Sequence, residues 1–245
     1  MEMDKQGSKG KAKNTKESIH SGHRARMLER FRKQGLDGFN DHEALELLLY
    51  FAIPRGDTNP IAHRLMDTFH TYHSVIEATP EALASVEGIG EKTAALIVLV
   101  RETMRRYGID KAEKDMQGLA LDTSDKMSRY LSPYFTGISE ERFVALATDI
   151  QGRVLGVQEI SRGTIRATHI EIRKLAEFAI RHQAAGVIVA HNHPGGRALP
   201  SHDDMQVTRT IRDTLSALSI SLQDHIIIAG DEFISMHDSD VMKYI

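Results

Sequence analysis

Residues 191–204 (HNHPGGRALPSHDD) place two histidines, a serine and an aspartate at short spacings. His191 and His193 follow residues 187–190 (VIVA), whose apolar run predicts a buried strand. Residues i and i+2 of an extended backbone point to the same side, so both imidazoles can approach one ion. Asp204 can supply a third ligand from the first turn of the next helix. The spacing therefore predicts a metal site at the end of this strand.

The donor types of this site indicate which metal it would hold. The chain contains no cysteine, which excludes thiolate zinc sites, disulfides and cysteine nucleophiles. Two imidazoles and one carboxylate suit zinc, which lies roughly 2.0–2.1 Å from a histidine nitrogen. Three protein ligands leave a fourth tetrahedral position for water, whose pKa then falls from about 15.7 toward about 7. The pattern therefore predicts a catalytic Zn²⁺ site.

Water activation also needs a base and a group that stabilises developing charge. Glu159 is the candidate base, because it lies on the same face of its predicted strand as two apolar residues and a carboxylate there is costly without a partner or a task. Ser201 is the candidate that positions the water or stabilises the oxyanion. Ser201 and Asp204 also fit a capping box, so they could simply begin a helix. The two roles are compatible, because a cap fixes the position of the aspartate.

The elements around these residues predict an α/β domain with a mixed sheet over residues 123–245. Strands and helices alternate there, with turn residues between them. The expected elements are a helix at 123–135, strands at 142–148 and 153–160 joined by a turn at 149–152, a helix at 170–184, a strand at 187–190, a helix at 201–218, and a closing hairpin at 222–229 and 232–236.

The first half of the chain has a different pattern. Residues 1–21 are polar and rich in Lys, Gly and Ser, which predicts a disordered basic tail. Residues 22–107 show helical periodicity, which predicts an all-helical domain. Residues 108–122 (GIDKAEKDMQGLALD) lose any sustained period and are interpreted as the linker between the two domains.

A glycine turn within the helical half predicts an anion site. Residues 83–98 (LASVEGIGEKTAALIV) end one helix, turn at Gly88 and Gly90, and begin another. The glycines allow close approach of a ligand, the following helix offers free N–H groups, and Lys92 adds a positive charge. Such a site suits a DNA backbone phosphate without base specificity. The alternative is a helical hairpin that needs glycine only for its turn.

Charge and hydropathy bear on partners and compartment. The net charge is −3, but residues 1–33 carry ten Lys and Arg against four acidic residues, so a nucleic-acid contact and a solvated tail are both open. The longest apolar run, residues 94–100 (AALIVLV), is too short to span a bilayer, and no N-terminal segment is typical of a signal peptide. We therefore expect a soluble, cytoplasmic protein that does not interact with membranes.

The arrangement HxH-x7-S-x2-D with an upstream glutamate resembles the JAMM (JAB1/MPN+) metalloprotease motif. The chain from about residue 22 onward resembles the bacterial RadC family, which joins a helix-hairpin-helix region to a JAMM-like domain. Further matching phrases are GHRARMLERF, ELLLYFAIPRGDTNPIAHRL, VEGIGEKTAALI, SRGT and DHIIIAGDEFIS.

The resemblance implies a cytidine-deaminase-like α/β fold with zinc on His191, His193 and Asp204. It also implies Glu159 as general acid and base, with Glu171 as a rival, and Ser201 as the partner of the water or the oxyanion. Two departures stand out. The family loop commonly reads HPSG where this chain has PGG at 194–196, and the phrase at 169–172 (HIEI) replaces one similar to Pro-Arg-Glu.

Three functions follow from these observations. The leading hypothesis is a zinc-dependent hydrolase of peptide, isopeptide or other amide bonds, with a protein or peptide substrate. The alternatives are a metal-dependent nuclease and a DNA-binding accessory protein acting in DNA repair or recombination. Paired histidines argue against the nuclease, because metals of phosphoryl transfer favour carboxylates and water. His225 is interpreted as a structural histidine rather than a neighbour of the metal ligands.

Overall fold

The computed structural model describes residues 9–163 and 171–244, with side chains described from residue 22 onward. The chain divides into two compact units, residues 1–101 and 102–245. The elements in chain order are α1 (Lys9–Gln34), α2 (Asp41–Ala52), α3 (Asn59–Phe69), α4 (Tyr72–Glu77), α5 (Pro80–Ala84), α6 (Glu91–Asp115), α7 (Ser124–Leu131), a 3-10 turn (Ser132–Phe135), β1 (Arg142–Thr148), β2 (Val154–Arg162), α8 (Ile172–Arg181), β3 (Gly186–Asn192), α9 (His202–Ala217), β4 (Ser221–Ala229), β5 (Glu232–Ser235) and a second 3-10 turn (Val241–Tyr244).

Helices α2 to α6 of the first unit share an apolar core. Helix α2 contributes Leu45 and Leu49, one turn apart on the same face, and helices α3 to α6 supply the residues packed against them. Glu46 of α2 is buried, but its carboxylate accepts hydrogen bonds from Tyr50 and Asn59 at 2.8 Å each. The buried charge is therefore satisfied, as buried polar groups must be.

The second unit contains a five-stranded sheet in the order β2-β1-β3-β4-β5. Strands β3 and β4 are parallel and the other neighbouring pairs are antiparallel, so the sheet is mixed. Helix α9 makes the crossover from β3 to β4, which a parallel pair requires. The predicted order of a helical region followed by a mixed-sheet α/β domain is confirmed.

Helices cover both faces of this sheet. On one face, α8 and α9 pack on a core that includes Phe143, Val189 and Ile211. On the other face, α7 and the first 3-10 turn pack on a core that includes Val144 and Ala190. Successive residues of a strand point to opposite faces, so β1 and β3 are buried along almost their whole length.

Two segments differ from the sequence predictions. Helix α1 begins at Lys9, inside the tail 1–21 predicted to be disordered, while residues 1–8 lie outside the described residues. Helix α6 runs to Asp115, through the first half of the predicted linker 108–122. Both segments contain Lys, Glu and Ala, which favour helix without needing an apolar face. These two segments are therefore helical even though they lack a periodic pattern of apolar residues.

The remaining boundaries agree closely with the predicted elements. Strand β1 has the predicted bounds, and β3 extends the predicted strand by one residue before it and two after it. The start of the helix predicted at 170–184 includes residue 170, which lies outside the described residues. Among the helices that the structure describes, none has the length and apolarity needed to cross a membrane.

Candidate metal centre

His191, His193 and Asp204 come together where β3 ends and α9 begins, and their ligand atoms all lie within 4.8 Å of one another. The Nε2 atoms of the two histidines are 2.8 Å apart. The carboxylate of Asp204 approaches Nε2 of His191 to 3.1 Å and Nε2 of His193 to 3.5 Å. These three residues form a group that can hold a metal ion.

The backbone explains why the two imidazoles converge. His191 shares a face of β3 with Val189, and it lies opposite Phe143 of β1. His193 continues the extended path, because its N–H donates to the carbonyl of Ile228 in β4 at 2.8 Å. The i, i+2 spacing therefore directs both side chains toward the first turn of α9.

The hydrogen bond made by Nδ1 of His193 determines whether Nε2 of the same ring carries a proton. Nδ1 of His193 lies 2.9 Å from the carbonyl oxygen of Arg197. A carbonyl oxygen only accepts, so Nδ1 carries the proton and Nε2 of the neutral ring presents a lone pair. That lone pair faces Nε2 of His191 and the carboxylate of Asp204. A bound cation would be stabilised by these converging acceptor atoms.

Burial and hydrogen bonding set the ionisation of the group. Burial lowers the pKa of His191 below its ordinary value, against the opposing effect of Asp204. The carboxylate of Asp204 favours the protonated form of His193 and so raises its pKa. Burial acts to raise the pKa of Asp204, but the two adjacent histidines, which become positively charged when they take up a second proton, outweigh it and hold that pKa well below its usual range. The aspartate is therefore ionised at neutral pH, which the binding of a metal would require.

Ser201 and Asp204 form the capping box that their spacing predicts. Asp204 N–H donates to Oγ of Ser201 at 3.1 Å, and Ser201 N–H donates to Oδ2 of Asp204 at 2.7 Å. Ser201 is exposed whereas Asp204 is buried, so the cap anchors the aspartate from its solvent side. The hydroxyl hydrogen of Ser201 is not used in the cap and is available for donation.

Glu159 is not brought together with the three ligands. It lies opposite Val144 in the β1–β2 pair, so its side chain leaves the sheet on the face covered by α7. Its carboxylate pairs with Arg162 and, at 3.4 Å, with Arg142. His191 projects from the other face. The role predicted for Glu159 therefore has no support from its position.

Glu171, the rival candidate, precedes α8 at an exposed position. Its side chain is 62% exposed and forms an ion pair with Lys174 at 4.0 Å. It borders residues 164–170, which lie outside the described residues. The structure does not bring Glu171 into the group of metal-binding side chains.

Glu141 is a carboxylate near the site that the sequence analysis missed. It directly precedes β1, two residues before Phe143, which lies opposite His191 and stacks on it with ring centroids 6.0 Å apart. By strand alternation Glu141 lies on the face of His191. Its negative charge weakly opposes the lowering of the pKa of His191 by burial, and it adds to the rise in the pKa of His193 that Asp204 causes. Glu141 is therefore a carboxylate close enough to the two histidines to influence their charge.

Asn192 fixes the backbone on both sides of Glu141. Its side-chain oxygen accepts from the N–H of Arg142 at 2.8 Å, and its amide donates to the carbonyl oxygens of Glu140 at 3.0 Å and Ile138 at 3.3 Å. Asn192 is buried and lies between the two histidines in the sequence. The residue between the metal ligands therefore ties the start of β1 to the end of β3.

The predicted phosphate site lies in the first unit, at the turn between α5 and α6. Gly88 has a φ of +94°, which favours glycine, and a Cβ there would approach Ile61 to 3.0 Å. A Cβ at Gly90 would meet nothing within 4 Å. Lys92 is exposed in the first turn of α6, and Arg64 donates from Nε to the carbonyl of Glu87 at 2.9 Å. The turn thus has the backbone form that the sequence predicts, with a second cation beside it.

The fold and the site define a class of protein: a helical region with a glycine hairpin, followed by a mixed-sheet domain with a His-x-His and aspartate group. A family model described as "RadC-like JAB domain" matches residues 121–241, and a helix-hairpin-helix model matches residues 71–100. The chain belongs to the RadC family, which confirms the resemblance drawn from the sequence.

Relatives from three bacteria show how far the similarity extends. A UPF0758 protein of Burkholderia cenocepacia is 33% identical over 210 residues, which cover 86% of this chain and 80% of that one. A UPF0758 protein of Ruegeria pomeroyi is 32% identical over 84% of this chain and 91% of its own. One of Fusobacterium nucleatum is 30% identical over 89% of this chain and 96% of its own. Both units are therefore included in the similarity.

Proposed function

We propose that this protein is a zinc-dependent hydrolase of JAMM type that cleaves a peptide, isopeptide or other amide bond. The observation that carries the proposal is the convergence of His191, His193 and Asp204 at the end of β3. Two of the ligands are buried, while the side chain of His193 is 18% exposed, so solvent and substrate approach from the His193 side. A site with three ligands and an open side is typical of catalytic rather than structural zinc.

The donor set favours zinc over the metals of phosphoryl transfer. Two imidazoles and one carboxylate suit Zn²⁺, whereas Mg²⁺ prefers oxygen ligands and retains several waters. This choice supports an amide hydrolase over a metal-dependent nuclease. Bound zinc would lower the pKa of a water ligand toward about 7 and polarise the substrate carbonyl.

The residues around the ligands supply the proton transfers. Glu141 would accept the proton of the attacking water and deliver it to the leaving amine, as a general base that becomes a general acid. Ser201 would donate its hydroxyl hydrogen to the oxyanion that develops on the substrate carbonyl. In this scheme Glu159 stays paired with its arginines and does not exchange protons with the substrate.

A second function, binding of DNA through the helix-hairpin-helix, has its own observation. The turn at Gly88 and Gly90 leaves the first N–H groups of α6 without a side-chain cap, because Gly90 provides only its carbonyl to Thr93 and Ala94. Lys92 and Arg64 lie next to this turn. Such a turn can bind a backbone phosphate, which positions DNA without reading its sequence.

The proposal is tested first by metal content. We would measure zinc by elemental mass spectrometry in the wild-type protein and in Asp204→Ala, with Asp203→Ala as a matched control from the same helical turn. Asp203 is exposed, so its loss should leave binding intact. We expect about one zinc per chain in the wild type and in the control, and none in Asp204→Ala. Absence of zinc from the wild type after incubation with zinc would overturn the hydrolase proposal.

The bond that is cleaved is tested next. We would incubate the zinc-loaded protein with a peptide and isopeptide library and, separately, with DNA. Cleavage of an amide bond that is lost in Glu141→Gln, with zinc retained, supports the proposal. Cleavage of DNA that is lost in His191→Ala would favour the nuclease, and salt-sensitive DNA binding without any cleavage would favour an accessory role.

A further inference from the structure

A run of three hydrogen bonds leads from His191 into the interior and back to Asp204. Nδ1 of His191 lies 2.7 Å from Nε2 of His225, and Nδ1 of His225 lies 2.7 Å from Oγ1 of Thr208. Thr208 Oγ1 lies 2.6 Å from the carbonyl oxygen of Asp204. All four residues are buried, so the run joins one metal ligand to the backbone of another without contact with solvent.

The last bond of the run determines the direction of the others. A carbonyl oxygen can only accept, so Thr208 donates its single hydroxyl hydrogen to Asp204. Oγ1 of Thr208 must then accept from His225, which places a proton on Nδ1 of His225. The sulfur of Met236, 3.6 Å from the hydroxyl, is a weak alternative acceptor. Donation there would leave two oxygens 2.6 Å apart with no hydrogen between them.

The neutrality of His225 completes the assignment. Its side chain is 0% exposed and packs edge-on against Phe143 with ring centroids 5.5 Å apart. A second proton would place a charge on a buried ring whose described hydrogen-bond partners are the side chains of His191 and Thr208, which is costly. With its one proton on Nδ1, His225 presents a lone pair at Nε2. His191 therefore donates from Nδ1, and its own Nε2 is unprotonated toward Asp204.

We propose that His225 and Thr208 are positioning residues that fix the tautomer and the ring orientation of His191. Nε2 of His191 is then unprotonated and faces the position that a metal would occupy. The inference rests on the proposed function only in taking zinc as the metal. A histidine ligand whose other nitrogen donates to a fixed acceptor is more basic and held in place. Here that acceptor is another histidine, and Thr208 sets its orientation.

The tautomers can be tested without metal. We would record long-range ¹H–¹⁵N NMR spectra of the full-length, metal-free protein labelled at histidine nitrogens, with assignments from His191→Gln and His225→Gln. We expect both rings to carry their proton on Nδ1, with Nε2 unprotonated in His225. A proton on Nε2 of His225, or on both of its nitrogens, overturns the inference. This result is independent of whether the protein hydrolyses anything.

Zinc affinity tests the consequence with matched variants. Thr208→Val removes the hydroxyl with little change of shape, and Thr208→Ser retains it. We expect Thr208→Val to bind zinc about tenfold more weakly, and Thr208→Ser to bind like the wild type, because loss of such supporting partners typically costs 10–100-fold in affinity. Equal affinities of these two variants, with both folded by circular dichroism, overturn the inference.

A second variant covers the case in which Thr208→Val does not fold. The amide oxygen of Gln can accept from Nδ1 of His191, whereas the side chain of Leu cannot. We expect His225→Gln to retain more zinc affinity than His225→Leu, and the reverse order overturns the inference. If the wild type binds no zinc, the proposed hydrolase fails, and the NMR tautomers still decide whether His225 and Thr208 orient His191.

Discussion

Ser201 and Asp204 hydrogen-bond each other twice, so Asp204, which completes the group that can hold a metal, also helps to cap the start of α9. A capping box fixes the side chain at its third helical position. The capping box therefore holds the carboxylate of Asp204 next to His191 and His193 at the end of β3. The same carboxylate is part of the helix cap and of the group that can hold a metal. The cap requires only a hydrogen-bond acceptor, whereas metal binding also requires the negative charge.

We expect Asp204→Asn to separate these two roles. The amide oxygen of Asn can still accept from the N–H of Ser201, so the thermal unfolding midpoint should change little. Zinc binding should fall by more than the roughly 10–100-fold that loss of a supporting partner costs, because a charged ligand is lost. Competition with a zinc chelator measures the affinity.

Ser201→Ala is the complementary variant. It removes the hydroxyl that caps α9 and should cost about 1 kcal/mol in the free energy of unfolding, with zinc still bound. Chemical denaturation of the metal-free protein measures this cost. If both variants lost stability and zinc affinity together, the cap and the ligand would not be separable.

The two glutamates at this end of the sheet should differ in their effect on catalysis. We expect Glu141→Gln to lower kcat by about 10²–10⁴-fold with zinc retained, which is the usual contribution of a general base. Glu159→Gln removes a partner of Arg142 and Arg162 on the opposite face and should change kcat only a few-fold. Steady-state kinetics on a substrate from the library measures both. A large loss in Glu159→Gln alone would restore the sequence prediction.

Asn192 should matter for catalysis more than for metal binding. Asn192→Ala leaves one N–H and two carbonyl groups of the segment 138–142 without their buried partner. We expect a loss on the order of 2 kcal/mol in the free energy of unfolding, because unsatisfied buried polar groups cost about 1–3 kcal/mol each and water can reach part of this segment. Urea denaturation measures this loss.

The effect of Asn192→Ala on the reaction follows from its position. His191 and His193 keep their places in the β3–β4 pairing, so zinc should remain bound. The backbone on either side of Glu141 is released, so kcat should fall while KM changes little. Loss of zinc from Asn192→Ala would show instead that Asn192 supports the ligands themselves.

Local patterns predicted that the side chains of His191, His193 and Asp204 lie together, because each position depends on a short stretch of chain. His191 and His193 follow from the period of a strand, and Asp204 follows from a helix cap three residues after Ser201. Glu141 could not be found this way. Its place beside the histidines depends on the pairing of Phe143 with His191, which joins residues 48 positions apart in the sequence. Strand register of this kind is a non-local property.

The position of Glu159 relative to the histidines also depends on strand pairing, which the local sequence does not reveal. The period of two correctly places Glu159 on one face with Val157, which packs on the core beneath α7. The sequence does not say which face of the sheet carries the metal. Ile160, the residue after Glu159, lies in the core beneath α8 and α9, and a bulge between Phe143 and Val144 shifts the register of the β1–β2 pair at this point. Only the strand pairing therefore shows that Glu159 and His191 lie on opposite faces of the sheet.

Tyr130 should make the stability of the second unit depend on pH in alkaline solution. Burial, followed by the charge of Glu113, raises its pKa to about 12 from an ordinary value of 10.0. Between these values the unfolded chain has released a proton that the native state still holds, so stability falls as pH rises, by about 1.4 kcal/mol per pH unit for this group.

The phenylalanine variant isolates the contribution of Tyr130. Tyr130→Phe has no proton to lose, so its free energy of unfolding should fall less steeply above pH 10 than that of the wild type. Urea denaturation at pH 9, 10 and 11 compares the two proteins. Parallel decline of both would mean that Tyr130 does not retain its proton in the native state.

The glycine turn of the first unit allows DNA binding to be separated from folding. Gly88→Ala forces a side chain onto a φ of +94° and against Ile61, so it should destabilise the unit. Gly90→Ala meets no neighbouring atom and should leave the unfolding midpoint unchanged. If the turn binds a phosphate, the added methyl group of Gly90→Ala blocks the close approach and weakens DNA binding.

Salt dependence gives the second measure of the same contact. We expect Lys92→Ala to weaken DNA binding equally for unrelated sequences and to reduce the slope of log K against log salt by about 1, as loss of one phosphate contact does. Arg209→Ala, which removes an exposed charge from α9, is the matched control and should leave the slope unchanged. Equal slopes for Lys92→Ala and the wild type, with Gly90→Ala binding normally, would mean that the hairpin at 88–92 is structural.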